Sequence, residues 1–323
     1  MIKRLPLLAL PLLLTACATH TQPTVPSQLQ TLYDYRLSND RQEDLTLTQA
    51  ISPIADADII LVGELHSHPG VHLLQSRLLT ELHTVSQQNG RPLALSMEQF
   101  SRADQETLDA YLANKIGEAA LIRDGNAWPN YPSDYRPLIE FAKAHRMPVI
   151  AANAPKPLVS CVGQEGPEWL DKLPVTRRSQ LARQLTLGDD PYRQKFMASM
   201  HHGDADSNAR RFAAQTSWDD TMAESMVDYL ATHPGQQIMH IAGNFHVEGG
   251  LGLASRIASR NPSLKVALVV PRIDETSVAD RATDVRVSLM PLPQRWQSDA
   301  EMKQDMSALH QSRSRDCSQW LQP

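Results

Sequence analysis

Cysteine is scarce in this chain of 323 residues, which has three cysteines and no Cys-x-x-Cys pair. The absence of that spacing argues against a thiolate zinc site. Lysine and arginine form no cluster and the formal net charge is −5, which argues against a nucleic-acid partner. Repeats, heptads and long charged runs are also absent, so a scaffolding role has little support. Small molecules, cofactors and other proteins are therefore the expected partners.

The N-terminus predicts the compartment. Basic Lys3 and Arg4 precede an apolar run that is too short to span a bilayer, and Leu14-Thr15-Ala16-Cys17 matches a bacterial lipobox. Residues 1–17 are therefore predicted to be a lipoprotein signal peptide, with Cys17 as the lipidated residue. The small residue that follows Cys17 favours sorting to the outer membrane. A polar, Pro-containing stretch then begins a flexible tether, which we place at 18–40.

The other two cysteines, Cys161 and Cys317, lie in a compartment that permits disulfides. A bridge between them would tie the tail to the folded body. The sequence alone leaves open whether the bridge forms, because disulfide geometry cannot be read from spacing.

Short apolar runs alternate with helical patterns along the chain. This alternation predicts one α/β domain over 41–323, with an open, mostly parallel sheet and flanking helices. Helical spacing is found, for example, at Val71, Leu74 and Leu78. From about 155 to 215 there is no strand pattern, which predicts an inserted helical lid. The five predicted strands are 58–63, 92–98, 147–152, 237–243 and 265–270.

Polar residues follow four of these predicted strands. The pattern Gly-x-x-His occurs twice, ending at His66 and at His246, and each copy follows an apolar run. In open α/β sheets the site lies beyond the carboxyl ends of the strands, so these residues are expected at one edge. For Asn153 taken alone, a capping or loop role is the favoured interpretation. The predicted polar cluster comprises Glu64, His66, Glu98, Gln99, Asn153, Asn244 and His246.

The predicted lid and the loop 128–135 contain Tyr, His and Met residues. These side chains can ligate haem iron, and aromatic groups can cover a porphyrin. A helix packed through its Met and Phe residues, with its histidines in water, explains the same pattern. Residue types alone do not establish haem binding.

A set of motifs resembles the ChaN family of haem-binding lipoproteins, over about Asp58 to Arg256. Each motif is weak by itself, but their combination in this order is specific. The motifs are Gly63-Glu64-x-His66, Met97-Glu98-Gln99-Phe100 with Gln105, Tyr135-Arg136-Pro137-Leu138, Ala151-Ala152-Asn153-Ala154-Pro155, Ala214-Gln215, Asp220-x-Met222-Ala223 and Ile241-Ala242-Gly243-Asn244-Phe245-His246.

The resemblance implies a lipid-anchored envelope protein that binds haem for iron acquisition. It implies a homodimer in which a tyrosine of one protomer ligates each iron, and an outer-membrane haem receptor is a candidate partner. A phenolate is a hard donor suited to ferric iron. The candidate iron ligands are Tyr131, Tyr135 and Tyr192. His201 and His202 are candidates for a propionate or second axial contact, and Lys195 is the candidate for the cationic partner.

The same pattern is distantly similar to the Tiki and TraB proteins and to erythromycin esterases. That similarity implies an alternative, a metal-dependent hydrolase. In this alternative Glu64, His66, Glu98 and His246 would hold a divalent metal such as zinc, and a glutamate would act as general base.

Overall fold

The computed structural model describes residues 29–200, 203–273, 284–311 and 316–322, without the side chains of 306–311. The predicted signal peptide with Cys17, the first part of the tether and the candidates His201 and His202 lie outside these ranges. Among the described residues, no helix combines the length and the hydrophobicity needed to cross a bilayer.

Eight strands form one mixed sheet with the order β2-β1-β8-β7-β3-β6-β4-β5. Strands β3 to β8 pair parallel with one another, whereas β1 pairs antiparallel with β2 and with β8. The strands are β1 (Tyr35–Ser38), β2 (Asp44–Leu45), β3 (Ile59–Glu64), β4 (Leu93–Ser101), β5 (Val149–Asn153), β6 (Gln237–Gly243), β7 (Val266–Arg272) and β8 (Val285–Leu289).

Helices cover both faces of the sheet. The described residues form the helices α1 (Leu47–Ile51), α2 (Pro69–Asn89), α3 (Gln105–Leu112), α4 (Glu118–Asp124), α5 (Arg136–Ala144), α6 (Lys156–Glu165), α7 (Val175–Arg178), α8 (Pro191–Ala198), α9 (Ala205–Thr232), α10 (Asn244–Val247), α11 (Leu253–Arg260) and α12 (Asp299–Gln311). A π-helical turn spans Tyr131–Tyr135, and short 3-10 helices span Arg102–Asp104, Pro167–Lys172, Glu248–Gly250 and Cys317–Trp320.

The predicted open α/β fold is confirmed, and all five predicted strands are present as β3 to β7. Their apolar runs are continuous because both faces of each strand are buried. In β3, Ile60 and Val62 pack in the core that contains α2, whereas Ile59 and Leu61 pack against α9 and α11. Helix α2 ends at Gly90, whose φ of 66° is left-handed, as is common where a helix terminates.

The sequence analysis missed the antiparallel part of the sheet. Strand β1 lies inside the range 18–40 that was assigned to the tether, so that prediction extends too far into the folded body. Only its last two residues, Leu37 and Ser38, are buried, which makes its apolar pattern short. The strand conformation of β1 is stabilised by its hydrogen bonds to β8, which is distant in sequence, so the local composition does not predict it.

Between β5 and β6 the described residues contain helices and no strand, as predicted for the insertion at about 155–215. A disulfide joins Cys161, on α6, to Cys317 near the end of the chain, with their Cα atoms 5.7 Å apart. The bridge that the sequence left open therefore connects the C-terminal segment to the insertion.

A side chain covers the sheet edge at β5. Gln105 donates from Nε2 to the carbonyl oxygen of Val149 (2.9 Å), and its Oε1 accepts from the backbone N–H of Ala151 (2.7 Å). The side-chain amide thus bonds to backbone groups that could otherwise pair with a strand of another molecule, which protects this edge strand from association.

We expect Gln105→Ala to lower the free energy of unfolding by about 2 kcal/mol, because two buried backbone groups lose their partners. Urea unfolding measures the change. Glu106→Ala, one position along on the exposed side of α3, is the matched control and should leave stability nearly unchanged. Equal midpoints for the two variants would contradict this role of Gln105.

Candidate functional site

The polar cluster lies where the chain order across the sheet reverses. Strand β6 inserts between β3 and β4, so the carboxyl ends of three parallel strands converge. Such a switch point leaves a crevice that commonly binds ligands. The two Gly-x-x-His motifs follow β3 and β6, and both therefore open into this crevice.

Glu64 is the most connected carboxylate of the site and is 1% exposed. Its Oε1 accepts from the Tyr135 hydroxyl (2.7 Å), from Gln99 Nε2 (3.0 Å) and from His66 Nδ1 (2.7 Å). Its Oε2 accepts from Gln75 Nε2 (2.8 Å). Two strands, helix α2 and the π-helical turn thus meet at one buried charge.

The charge state of Glu64 depends on His66. Burial raises the pKa of Glu64, but the hydrogen bond and the positive charge of His66, together with His72 and Gln75, outweigh burial, so the pKa lies below its ordinary value. Burial lowers the pKa of His66, and the bond to Glu64 more than compensates, so the pKa of His66 is raised. The side chain of His66 remains 47% exposed. Its Nδ1 is held, and its Nε2 forms no hydrogen bond within the described residues.

Glu98, on β4, connects this strand to β6 and β5 on the other side of the cluster. Its Oε2 accepts from the backbone N–H of Gly243 (2.6 Å), and its backbone carbonyl accepts from Asn153 Nδ2 (3.0 Å). Its Oε1 lies 3.8 Å from His246 Nε2. These polar residues therefore lie close together at the carboxyl ends of the strands, as predicted.

A second buried carboxylate, Asp219 on α9, holds the other motif histidine. Asp219 Oδ1 lies 2.8 Å from His246 Nδ1, and its Oδ2 accepts from the Tyr192 hydroxyl (2.8 Å). Gln215 Nε2 donates to the same hydroxyl (3.0 Å). Burial lowers the pKa of His246, but Asp219 and Glu98 raise it by more, to about 9.

Close approach explains the glycine of each motif. A Cβ added to Gly63 would lie 2.6 Å from Asn244 Oδ1 and 2.9 Å from Pro271 Cδ. A Cβ added to Gly243 would lie 3.0 Å from His66 Nε2. Only glycine lets the two strand ends bring both motifs this close.

A cleft of about 840 Å³ opens beside the cluster. This volume is within the roughly 300–1,000 Å³ typical of small-molecule sites. Its walls combine imidazole and carboxylate groups, apolar and aromatic surface, and two cations, Lys156 and Arg177. Neither cation forms an ion pair within the part of the chain that the structure describes. The aromatic and apolar lining includes Trp128, Trp218, Trp320, Pro129, Pro155, Pro157 and Leu158.

The three candidate tyrosines do not line this cleft. Tyr131, Tyr135 and Tyr192 are each at most 1% exposed. Tyr135 donates to Glu64 and Tyr192 to Asp219, while the Tyr131 hydroxyl is buried without a partner among the described residues. Burial raises the pKa of all three phenols, which opposes phenolate formation. In the described conformation, none is available to an iron atom.

Lys195 is engaged as well. Its Nζ lies 3.1 Å from Glu248 Oε2 and 4.4 Å from the centre of the Phe245 ring. Tyr192 and Phe196 of the same helix pack with Phe212 in a small apolar cluster. The aromatic residues of α8 that could contact haem are therefore buried in the protein. This agrees with the alternative in which the helix packs through its apolar residues.

The four candidate metal ligands, Glu64, His66, Glu98 and His246, lie in the same cluster, but their side chains are not arranged to coordinate one metal ion. Among the described residues, no group of three or more His, Cys, Asp or Glu side chains could hold a metal ion. Glu64 already accepts four hydrogen bonds, and His246 is bonded to Asp219. The carboxylates serve instead to hold the two motif histidines.

Sequence reasoning missed several buried polar residues of the site. Asp219 falls in phase with the apolar stripe of Met222 and Met226 on α9, and a carboxylate in such a stripe was the available signal. His240 on β6 is fully buried and bonded to Ser96 Oγ (2.8 Å), and burial and the charge of His246 lower its pKa to about 3. An apolar run containing one histidine gave no comparable signal.

This fold and site define an open α/β protein with a polar cleft at the switch point of its sheet. The profile of the family described as "Haem-binding uptake, Tiki superfamily, ChaN" matches residues 50–257. The chain belongs to this family. Comparison with curated proteins finds no match.

Three solved structures illustrate the similarity. "Cofacial heme binding to ChaN of Campylobacter jejuni" is 15% identical, with a TM-score of 0.63, and covers 80% of this chain and 98% of that chain. A mutant of the erythromycin esterase EreC in its open conformation is 10% identical, with a TM-score of 0.41, and covers 85% and 87%. A succinoglycan biosynthesis protein is 14% identical, with a TM-score of 0.41, and covers 75% and 71%. The first supports the fold, and the other two are too distant to support an argument.

The Asp219–His246 pair predicts a pH dependence of stability. Because the folded pKa of His246, about 9, exceeds its unfolded value, the pair's contribution is complete below about pH 6.5 and is lost as pH rises through about 9. We expect Asp219→Asn to reduce this dependence, to which the raised pKa of His246 contributes about 3 kcal/mol in the wild type, while Glu98 still raises that pKa in the variant. Urea unfolding at a series of pH values measures it.

The matched control is Asp228→Asn, on the same helix, which alters an exposed ion pair with Arg183. This variant should keep the wild-type pH profile. A wild-type free energy of unfolding that stays constant between about pH 6.5 and 9 would contradict the assignment.

Proposed function

We propose that this protein binds haem for iron uptake at the bacterial envelope. The observation that carries the proposal is the cleft, which joins aromatic walls and a half-exposed imidazole to two cations that form no ion pair within the described ranges. Haem combines the complementary features: a flat apolar ring, two propionates and an iron atom that accepts a nitrogen ligand. Membership of the haem-binding uptake family supports the same ligand.

His66 is the side chain best prepared to contact the iron. Ligating histidines usually give their other ring nitrogen to a carboxylate, which fixes the ring and increases its basicity. Glu64 makes this contact with Nδ1 at 2.7 Å, and Nε2 is left for a ligand. Tyrosine ligation, which the family resemblance implies, stays a prediction. It would require Tyr131, Tyr135 or Tyr192 to leave its buried position.

Lys156 and Arg177 suit the propionates. Both line the cleft, and both can form charge-assisted hydrogen bonds with a carboxylate. Lys195 was the earlier candidate for this contact, but its ion pair with Glu248 makes it less available.

We further propose that the haem is shared by two protomers, with each chain held to the outer membrane through lipid on Cys17. The lipobox sequence supports the anchor. The cofacial haem binding named for the Campylobacter jejuni protein supports a paired arrangement. An outer-membrane haem receptor is the partner that such an arrangement would serve. The hydrolase alternative gains no better support, since the described glutamates and histidines form no metal group.

We expect His66→Ala to change the Soret band of the haem complex and to weaken haemin binding by at least about tenfold, because the iron loses its nitrogen donor. Spectroscopic titration of the soluble protein with ferric haemin measures both effects. His83→Ala, which alters a histidine on α2 outside the cleft, is the matched control.

Single Phe replacements of Tyr131, Tyr135 and Tyr192 separate the two ligation hypotheses. With His66 ligation, all three variants keep the wild-type charge-transfer bands. If one Tyr variant loses these bands while His66→Ala keeps them, tyrosine ligation is correct and the role of His66 is wrong.

We expect Lys156→Ala to weaken binding of haemin by about three- to tenfold and to leave binding of haemin dimethyl ester unchanged. The ester lacks the propionate charges, so the lysine has nothing to pair with. Lys172→Ala, an exposed lysine that does not line the cleft, controls for net charge. An equal loss for both ligands would contradict a propionate contact.

A further inference from the structure

The C-terminal segment 316–322 contributes to the cleft although it lies outside the region matched by the family, 50–257. Its 3-10 helix, Cys317–Trp320, places Trp320 among the lining residues. The cleft is thus completed by a part of this chain that the family profile does not cover.

The disulfide holds this segment against the insertion. Cys161 on α6 is fully buried and Cys317 is 6% exposed, and both pack in an apolar cluster that also contains Leu158. Helix α6 begins with Lys156, so the helix joined by the bridge also forms a wall of the cleft. Asp316 caps the segment, because its Oδ1 accepts from the backbone N–H of Ser318 (3.0 Å).

Trp320 packs against the apolar cluster that contains the disulfide and also contacts Arg177. The guanidinium of Arg177 lies 5.3 Å from the centre of its ring, a cation–π distance. The indole Nε1 is buried without an acceptor among the described residues. A buried donor without a partner is costly.

We propose that Trp320 is a ligand-contact residue of the cleft, positioned by Arg177 and by the Cys161–Cys317 disulfide. Its ring forms an aromatic wall for a flat aromatic guest, which is the porphyrin if the proposed function holds. This inference rests on that function for the identity of the guest. Cleavage of the bridge by a dithiol, which is itself oxidised to a disulfide while two cysteine thiols form, frees the wall and weakens binding.

The test is titration of the full folded domain, begun after Cys17, with ferric haemin and with metal-free protoporphyrin. We expect Trp320→Ala and the Cys161→Ser/Cys317→Ser double variant each to bind both porphyrins about tenfold more weakly, with an unchanged Soret shape for bound haemin. Trp320→Phe should retain most of the affinity, because a ring face remains. Trp296→Ala, whose indole instead donates to Asp305, is the matched control.

Outcomes for the proposed function and for this inference are separable. Tight haemin binding by the wild type with equal affinities for Trp320→Ala and wild type overturns the inference alone. Uptake of neither porphyrin by the wild type overturns both. A loss of affinity for haemin but not for protoporphyrin also overturns the aromatic wall, since stacking does not need iron.

A second measurement needs no ligand and covers the case in which a variant is destabilised. Hydrogen exchange of 154–162 and 316–322 should be faster in the double cysteine variant than in the wild type, while the strands of the sheet keep their protection. Unchanged exchange in 154–162 would overturn the role of the disulfide in holding the cleft wall.

Discussion

The buried carboxylate of Glu64 is the constraint on which the site depends. A charge that is 1% exposed at the end of β3 is tolerated only if donors surround it, and they come from α2, β4, the π-helical turn and the motif loop. These bonds fix where four elements meet. They also use Tyr135 as a structural donor and leave His66 as the one member of the network with a substantially exposed ring.

A similar arrangement surrounds the second motif. Asp219 bonds to His246 from α9, which packs on the opposite face of the sheet from α2. A buried carboxylate therefore orients each of the two motif histidines. The glycines of both motifs permit the close approach of the strand ends. Beside these hydrogen-bonded polar residues, the cleft is lined by tryptophan and proline side chains and by the cations Lys156 and Arg177. Rigid polar groups and apolar walls together are typical of a ligand site.

The sequence was sufficient for the parallel sheet and the polar edge, because continuous apolar runs and the polar residues that end them are local signals. It was insufficient for β1 and β8, whose order comes from pairing between distant segments. The tyrosines show a different difficulty. Residue type indicated iron ligands, but a phenol also suits a buried hydrogen bond to a carboxylate, and only tertiary contacts distinguish the two uses. Asp219 was missed for the same reason: its partner histidine is distant in sequence.

Haem uptake is the central claim, and the most direct test is titration of the soluble wild-type protein with ferric haemin, in which the visible spectrum and the sedimentation coefficient are followed together. We expect saturation at about one haem per chain, accompanied by a shift from monomer to dimer. Failure to saturate would contradict haem binding. Saturation without any change in sedimentation would contradict the shared pocket and leave a haem site within one protomer.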